Sequence, residues 1–251
     1  MIPLEDPTTL SQLFHLNSEP WLNDDAYRNA AYHQDFKEIG SPANAIALPA
    51  PAPSALSELI RRRRSCRAYQ PRRMPLASVS ALAAASYGAV EDAEATKQAG
   101  FLRRSVPSAG GLFPLEVYAF VQRVDGLPDG LYHYDVRGHA LELVRSCDAF
   151  AELQPALYTH PFVRDANVVL CLAAVFPRTQ KKYGPRGYRY ILLEAGHSVQ
   201  NFCLCATELE LGSLCMGGFV DSRLNRLLGL DPKNEGVVYA AAAGYSAEQP
   251  G

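Results

Sequence analysis

Residues 187–211 constrain the fold of this chain more than any other stretch of its sequence. Apolar side chains recur there at intervals of three and four residues, at Tyr188, Ile191, Leu192, Ala195, Val199, Phe202, Ala206 and Leu209. This spacing predicts a single α-helix, about 40 Å long at about 1.5 Å per residue, which Gly212 would end. A helix so long and so apolar is expected either in the protein core or in an oligomer interface.

The remaining pattern predicts a sheet covered by helices. Residues 166–176 are almost continuously apolar, which is typical of a strand buried on both faces. Alternating apolar residues, bounded by turn residues, predict the other strands. The predicted strands are 115–124, 130–135, 139–144, 166–176 and 236–245. The predicted helices besides the long one are 55–64, 76–87, 148–158 and 221–229, the first of them capped by Ser54.

The N-terminal region reads differently from the rest. Residues 1–40 are predicted to be irregularly helical, and residues 41–53 contain four prolines that exclude a helix. We therefore divide the chain into residues 1–53, a helical region with a proline-rich linker, and residues 54–251, the main domain.

Composition excludes several classes of protein. The chain has 251 residues, of which 48% are hydrophobic and 20% charged, enough for a sizeable core. A formal net charge of −2 argues against nucleic acid as a partner. The sequence has no apolar run of about 18 residues, so no membrane span is expected. The N-terminus lacks the pattern of a signal peptide. Six cysteines are too sparse for a disulfide scaffold, so we expect reduced core thiols and a cytoplasmic location.

Four short segments carry possible chemistry. The basic segment 61–67 is either a solvated helix end or an anion site, because arginine matches a phosphate with two hydrogen bonds. Residues 107–111, Pro-Ser-Ala-Gly-Gly, form either a surface turn or a loop that approaches a flat ligand. Lys182 and Tyr183 are either surface residues or proton-transfer groups. The glycine pair at 217–218 would lie in a loop between two helices.

Other motifs are absent from the sequence. It contains neither the glycine pattern of a Rossmann dinucleotide site nor that of a phosphate-binding P-loop. No spacing of histidines and cysteines typical of a metal centre occurs, so no metal is expected.

The order of these segments resembles the FMN-dependent nitroreductase superfamily and, within it, the SagB-type, McbC-like dehydrogenases. The resemblance covers roughly residues 45–245 and is most specific at 186–201. It implies an α+β fold with a central, mostly antiparallel sheet wrapped by helices, and a homodimer with FMN at the interface. Helix 187–211 would then lie at the core of the dimer.

The resemblance also implies roles for individual residues. The phosphate and ribityl chain of FMN would contact Arg63, Arg64, Ser65 and Arg67. The isoalloxazine ring would contact Pro107, Ser108, Ala109 and Gly111, and the backbone at Gly217 and Gly218 would face the flavin edge. Lys182 and Tyr183 match a pair considered catalytic in azoline dehydrogenases.

The implied function is FMN-dependent oxidation of a thiazoline or oxazoline to the aromatic azole, in a ribosomal or carrier-bound peptide, with a cyclodehydratase or synthetase complex as a further partner. Three alternatives stay open at this point. One is an NAD(P)H-dependent nitro- or quinone reductase of the same fold, and another is a non-catalytic scaffold subunit of a peptide-modifying complex. The third, which we weigh least, is nucleic-acid binding through residues 61–67.

Overall fold

The computed structural model describes residues 13–15, 18, 37, 45–90, 102–158 and 160–248. At its centre lies a six-stranded sheet in which neighbouring strands are antiparallel. The strands are β1 (Leu115–Val121), β2 (Gly130–Asp135), β3 (Ala140–Ser146), β4 (Val168–Val175), β5 (Gly212–Met216) and β6 (Glu235–Gly244). Their order across the sheet is β3-β2-β1-β4-β6-β5. The predicted α+β class with a mostly antiparallel sheet is confirmed.

Helices cover both faces of this sheet. They are α1 (Ala55–Arg62), α2 (Leu76–Tyr87), α3 (Ala149–Leu153), α4 (His160–Val163), α5 (Phe176–Tyr183), α6 (Arg186–Glu208) and α7 (Asp221–Leu228). One apolar cluster joins α2 and α6 to the sheet, and a second joins α3 and α7 to the opposite face. Alternate residues of β4 belong to the two clusters, as the continuous apolar run predicts for a strand buried on both sides.

The structure corrects the predicted end of the long helix. Helix α6 stops at Glu208, and Glu210 adopts a left-handed backbone with φ of 59°. Gly212 does not end the helix; it is the first residue of β5. Glycine is still required at this position, because a Cβ there would lie 2.5 Å from the Cys66 sulfur.

Three elements were missed by the sequence prediction, among them the four-residue helix α4, which lies beyond the end of the predicted helix 148–158. Strand β5 was missed because it is only five residues long, too short for a clear alternation. The glycine pair therefore follows a strand, and the prediction of a loop between two helices is wrong. Helix α5 was missed because its first residue, Phe176, continues the apolar run of β4.

The segment after α1 extends the sheet beyond β5. Ser65 forms a parallel bridge with Ser213, and the Cys66 amide donates to the Ser213 carbonyl over 2.8 Å. Tyr69 forms an antiparallel bridge with Ser246, close to the last described residues. The basic segment is thus fixed along the outer edge of β5 by its backbone.

The predicted N-terminal region lies largely outside the described residues. Residues 45–53 contain no helix or strand and are exposed, as their prolines predict. Ser54 caps α1 by accepting from the Ser57 amide over 3.1 Å, which confirms its predicted role. None of the described helices combines the length and the apolar character that a membrane crossing requires.

Candidate functional site

Lys182 and Tyr183 form the last turn of α5. Gly184 ends this helix with φ of 57°, a conformation that favours glycine, and α6 begins two residues later. Lys182 is exposed, and its Nζ lies 5.3 Å from the centre of the half-buried Tyr183 ring. The Tyr183 ring packs edge-on against Tyr190 of α6 at 5.1 Å. The first turns of α6 therefore hold Tyr183 in place.

The structure brings this pair to the glycine loop at 107–111. A methyl group added at Gly110 would lie 2.7 Å from the Tyr183 hydroxyl oxygen and 2.8 Å from Lys182 Nζ. Gly110 also has φ of 66°, so glycine is needed there for both backbone and space. Two segments that the sequence separates by about 70 residues thus form one surface, with a hydroxyl and an amine beside an exposed backbone turn.

A buried carboxylate fixes the conformation of the loop. Glu194 of α6 is 2% exposed, accepts a hydrogen bond from the Tyr87 hydroxyl, and also accepts one from the Ser108 hydroxyl. Ser108 in turn accepts from the Phe113 amide over 2.9 Å. Burial raises the pKa of Glu194, and the hydrogen bonds from Ser108 and Tyr87 and the nearby Arg104 oppose that rise.

Further side chains hold the residues before the loop. The Arg104 guanidinium lies over the Tyr87 ring at 4.5 Å and over the Phe113 ring at 4.9 Å. Asn201 of α6 donates to the Ser105 carbonyl over 3.0 Å. Helix α6 therefore supplies both polar anchors of this segment, Glu194 and Asn201.

Sequence reasoning did not single out Glu194. The available signal was its position, because it lies between Ile191 and Ala195 on the apolar stripe of the long helix. A carboxylate on such a stripe needs buried partners. Their identity depends on the loop that crosses the helix, which the spacing does not reveal.

The arginines of the basic segment have different surroundings. Arg61 pairs with Glu58 over 2.7 Å, and Arg64 donates to the carbonyls of Arg61 and Arg63, as at a solvated helix end. Within the described part of the chain, neither Arg63, which is half-buried, nor Arg67, which is exposed, forms an ion pair with a carboxylate. These two guanidinium groups are available to an anion.

The glycine pair at 217–218 begins directly after β5. Gly217 is exposed, and a Cβ added there would meet no atom within 4 Å. The Gly218 carbonyl accepts from the Tyr158 amide over 3.3 Å, which anchors the turn to the segment after α3. The turn thus presents open backbone at one end of the strand whose other end pairs with Ser65.

Comparison with known proteins identifies the family. The sequence profile of the nitroreductase family matches residues 60–245. The chain belongs to the nitroreductase family. Members of this family depend on FMN, and the family is one of oxidoreductases.

Two curated relatives differ in what their names report. A protein of Methanocaldococcus jannaschii, provisionally named nitroreductase MJ1384, is 36% identical over 73% of this chain and 88% of its own length. The microcin B17-processing protein McbC of Escherichia coli is 30% identical over 53% of this chain and 51% of its own length. The sequence match therefore covers only about half of McbC.

Solved structures show the same fold. The E. coli microcin synthetase McbBCD complex with truncated pro-MccB17 bound matches with a TM-score of 0.75 at 20% identity, over 96% of this chain and 94% of that chain. A nitroreductase from Desulfovibrio desulfuricans in complex with FMN matches with a TM-score of 0.52 at 20% identity, over 78% and 89% of the two chains. The resemblance to McbC-like members of the family is confirmed.

The residues present fit an FMN molecule. Among the described residues, the Arg63 and Arg67 guanidinium groups form no ion pair with a carboxylate, which suits a phosphate. Gly110 and Gly217 are exposed glycines, at which backbone can approach a flat ring. Among the described residues, no group of three or more His, Cys, Asp or Glu side chains is arranged to hold a metal ion.

Proposed function

We propose that this protein is an FMN-dependent dehydrogenase that oxidises a thiazoline or oxazoline ring of a modified peptide to the aromatic azole. The observation that carries this proposal is the placement of Lys182 and Tyr183 against Gly110. An acid–base pair beside a loop suited to a flat ring is what such a reaction requires. The similarity to McbC, named as a microcin-processing protein, supports a peptide substrate.

The cofactor contacts follow from the two ends of the site. Arg63, Ser65 and Arg67 would bind the phosphate and ribityl chain, with Arg64 contributing only if its guanidinium leaves the helix-end carbonyls. The isoalloxazine ring would lie against the backbone of Pro107, Ser108, Ala109 and Gly111 and against Gly217 and Gly218. When bound, FMN supplies the hydride acceptor, and the protein positions the ring and moves the proton.

Lys182 and Tyr183 would divide the proton chemistry. Aromatisation removes a proton from one ring carbon and a hydride from its neighbour. One member of the pair would take the proton, while the other would stabilise the developing negative charge by a hydrogen bond. Their shared contact with the Gly110 turn would hold both groups at the same reacting ring.

Two measurements test this function. The absorbance spectrum of the purified full chain should show flavin bands. Anaerobic single-turnover mixing of the flavin-loaded protein with a short thiazoline peptide should then bleach them. A flavin reduced rapidly by NAD(P)H but never by the thiazoline peptide would contradict the azoline assignment. It would favour the nitro- or quinone-reductase function, which the name of the M. jannaschii relative supports. Absence of flavin would favour the scaffold function.

We also propose that the protein acts as a homodimer. Helix α1 has no buried residue, although Leu56 and Ile60 lie on one face and are 58% and 54% exposed. It contacts α6, where Leu192 and Leu193 are 38% and 54% exposed. Exposed apolar side chains on two touching helices are typical of an interface.

Light scattering tests the dimer. The flavin-loaded protein should have about twice the monomer mass of 27.4 kDa. Leu193→Glu should shift it to the monomer, whereas Leu143→Glu, at a similarly exposed position on β3, should not. A flavin-loaded wild-type monomer would contradict this proposal.

A McbBCD-like synthetase complex remains a further proposed partner.

A further inference from the structure

Two cysteines from different elements meet at the edge of the sheet. The sulfur of Cys203, on α6, lies 3.5 Å from the sulfur of Cys215, on β5. Cys203 is 1% exposed, whereas Cys215 is exposed to solvent. The sequence prediction that the cysteines are core residues is therefore wrong for Cys215. A thiol that reagents can reach lies in contact with a second thiol behind it.

The surroundings of Cys215 favour its thiolate. The Cys203 thiol and the Tyr239 hydroxyl donate to the Cys215 sulfur, and the positive charge of Arg63 is nearby. These contacts outweigh the opposing effect of burial and lower the pKa of Cys215 below that of an ordinary thiol. The pKa of Cys203 is raised because its thiol donates a hydrogen bond to Cys215 and because it is buried.

The other cysteines do not share this arrangement. Cys171 is completely buried in β4, and burial raises its pKa to about 12. Cys66 is buried, and its thiol donates to the Ala68 carbonyl over 3.1 Å. Cys205, two residues from Cys203 on α6, and Cys147, directly after β3, are half-buried, and burial raises the pKa of each.

We propose that Cys203 and Cys215 form a reactive dithiol site that low-molecular-weight disulfides convert into an intramolecular disulfide. The thiol exchange does not require azoline chemistry, although Arg63, which lies near Cys215, also belongs to the proposed FMN site. Closing the bond requires the sulfurs to approach by about 1.5 Å, since a disulfide is about 2.05 Å long. Because the two sulfurs are already in contact, only this short movement is needed.

The reaction proceeds by two thiol–disulfide exchanges. The Cys215 thiolate attacks one sulfur of the small disulfide, a mixed disulfide forms, and one small thiolate leaves. Cys203 then loses its proton to solvent and attacks the Cys215 sulfur, and the second small thiolate leaves. The protein is oxidised by two electrons, the small disulfide is reduced to two thiols, and the bond formed joins α6 to β5.

Intact-mass spectrometry of the flavin-loaded full chain, incubated with glutathione disulfide at neutral pH, tests the site. The wild-type protein should lose two hydrogens and two titratable thiols, and peptide mapping should find Cys203 joined to Cys215. Cys203→Ser should instead retain glutathione on Cys215, because the second exchange lacks its thiol. Cys215→Ser should react at least about tenfold more slowly than the wild type. Cys205→Ser, the matched control on the same helix, should form the disulfide like the wild type.

Three results would overturn the proposal. These are a wild-type protein that keeps all its thiols, a disulfide that joins other cysteines or two chains, and a Cys215→Ser variant that reacts at the wild-type rate. The wild-type and Cys203→Ser measurements decide the question even if Cys215→Ser fails to fold.

Discussion

The two ends of the proposed FMN site are built in opposite ways. The loop end, residues 107–111 with Lys182 and Tyr183, is held by buried polar side chains such as Glu194. The arginine end, residues 63–67, is held by backbone pairing with β5, and within the described residues neither the Arg63 nor the Arg67 guanidinium forms an ion pair. One end is fixed before a ligand arrives, and the other keeps its guanidinium groups available.

This difference suggests different tasks. Buried hydrogen bonds cost about 1–3 kcal/mol when one partner is removed, so they fix a geometry. Exposed cations contribute through charge–charge attraction, which salt screens. Fixed geometry suits proton transfer at a flat ring, whereas available charge suits capture of a phosphate.

The largest effect is expected from substitutions at the loop end, on the rate of flavin reduction. Lys182→Ala and Tyr183→Phe should each lower single-turnover flavin reduction by a thiazoline peptide about 100- to 10,000-fold, because a positioned acid–base group contributes that much. The flavin spectrum and the melting temperature should be unchanged. Lys181→Ala, an exposed neighbour on α5, is the control. Wild-type rates in both test variants would leave the pair without a catalytic role.

The arginine end should show its effect in affinity. Replacing Arg63 and Arg67 together by alanine should weaken FMN binding at least about 100-fold, because each charge-assisted hydrogen bond contributes about 1.5–3 kcal/mol. Fluorescence titration with FMN measures this, and wild-type binding should weaken as salt is added. Arg61→Ala, which removes only the exposed pair with Glu58, should bind normally. Full flavin occupancy in the double variant would show that the phosphate binds elsewhere.

Two glycine variants separate backbone strain from displacement of the proposed catalytic groups. Gly110→Ala and Gly126→Ala both place alanine at positive φ, of 66° and 72°, and each should cost about 1 kcal/mol of stability. Only at Gly110 would the new methyl group meet Tyr183 and Lys182. We expect azoline oxidation to fall about 10- to 100-fold in Gly110→Ala alone. Equal rates in the two variants would contradict the contact between loop and pair.

The smallest effect concerns the buried anchor of the loop. Because burial raises the pKa of Glu194, its protonated form is more populated in the folded chain than in the unfolded chain at the same pH. Its contribution to stability is then full below the pKa of the unfolded chain and is lost as pH rises through the folded pKa. Glu194→Gln cannot ionise, so urea unfolding between pH 4 and pH 8 should show a flatter dependence than in the wild type. Parallel curves would mean that Glu194 does not titrate differently on folding.

Much of the fold could be predicted because local patterns report burial. Residues 76–87 and 130–135 have the predicted bounds, and the apolar run of β4 indicates a strand covered on both faces. The boundaries failed where two signals merged. Phe176 extends the apolar run although it begins a helix, and the short strand β5 follows the long helix almost directly.

The sequence by itself determined the fold class, the long helix, and the order of motifs that indicates the family. Periodicity carries this information because it records which side of each element faces away from water. Only the tertiary structure decided that Gly110 meets Lys182 and Tyr183, that Glu194 anchors Ser108, and that Cys203 meets Cys215. These contacts join residues that are 12 to 86 positions apart, and they depend on strand order and on the way α6 crosses the sheet. A local pattern fixes neither, because many strand orders satisfy the same periodicity.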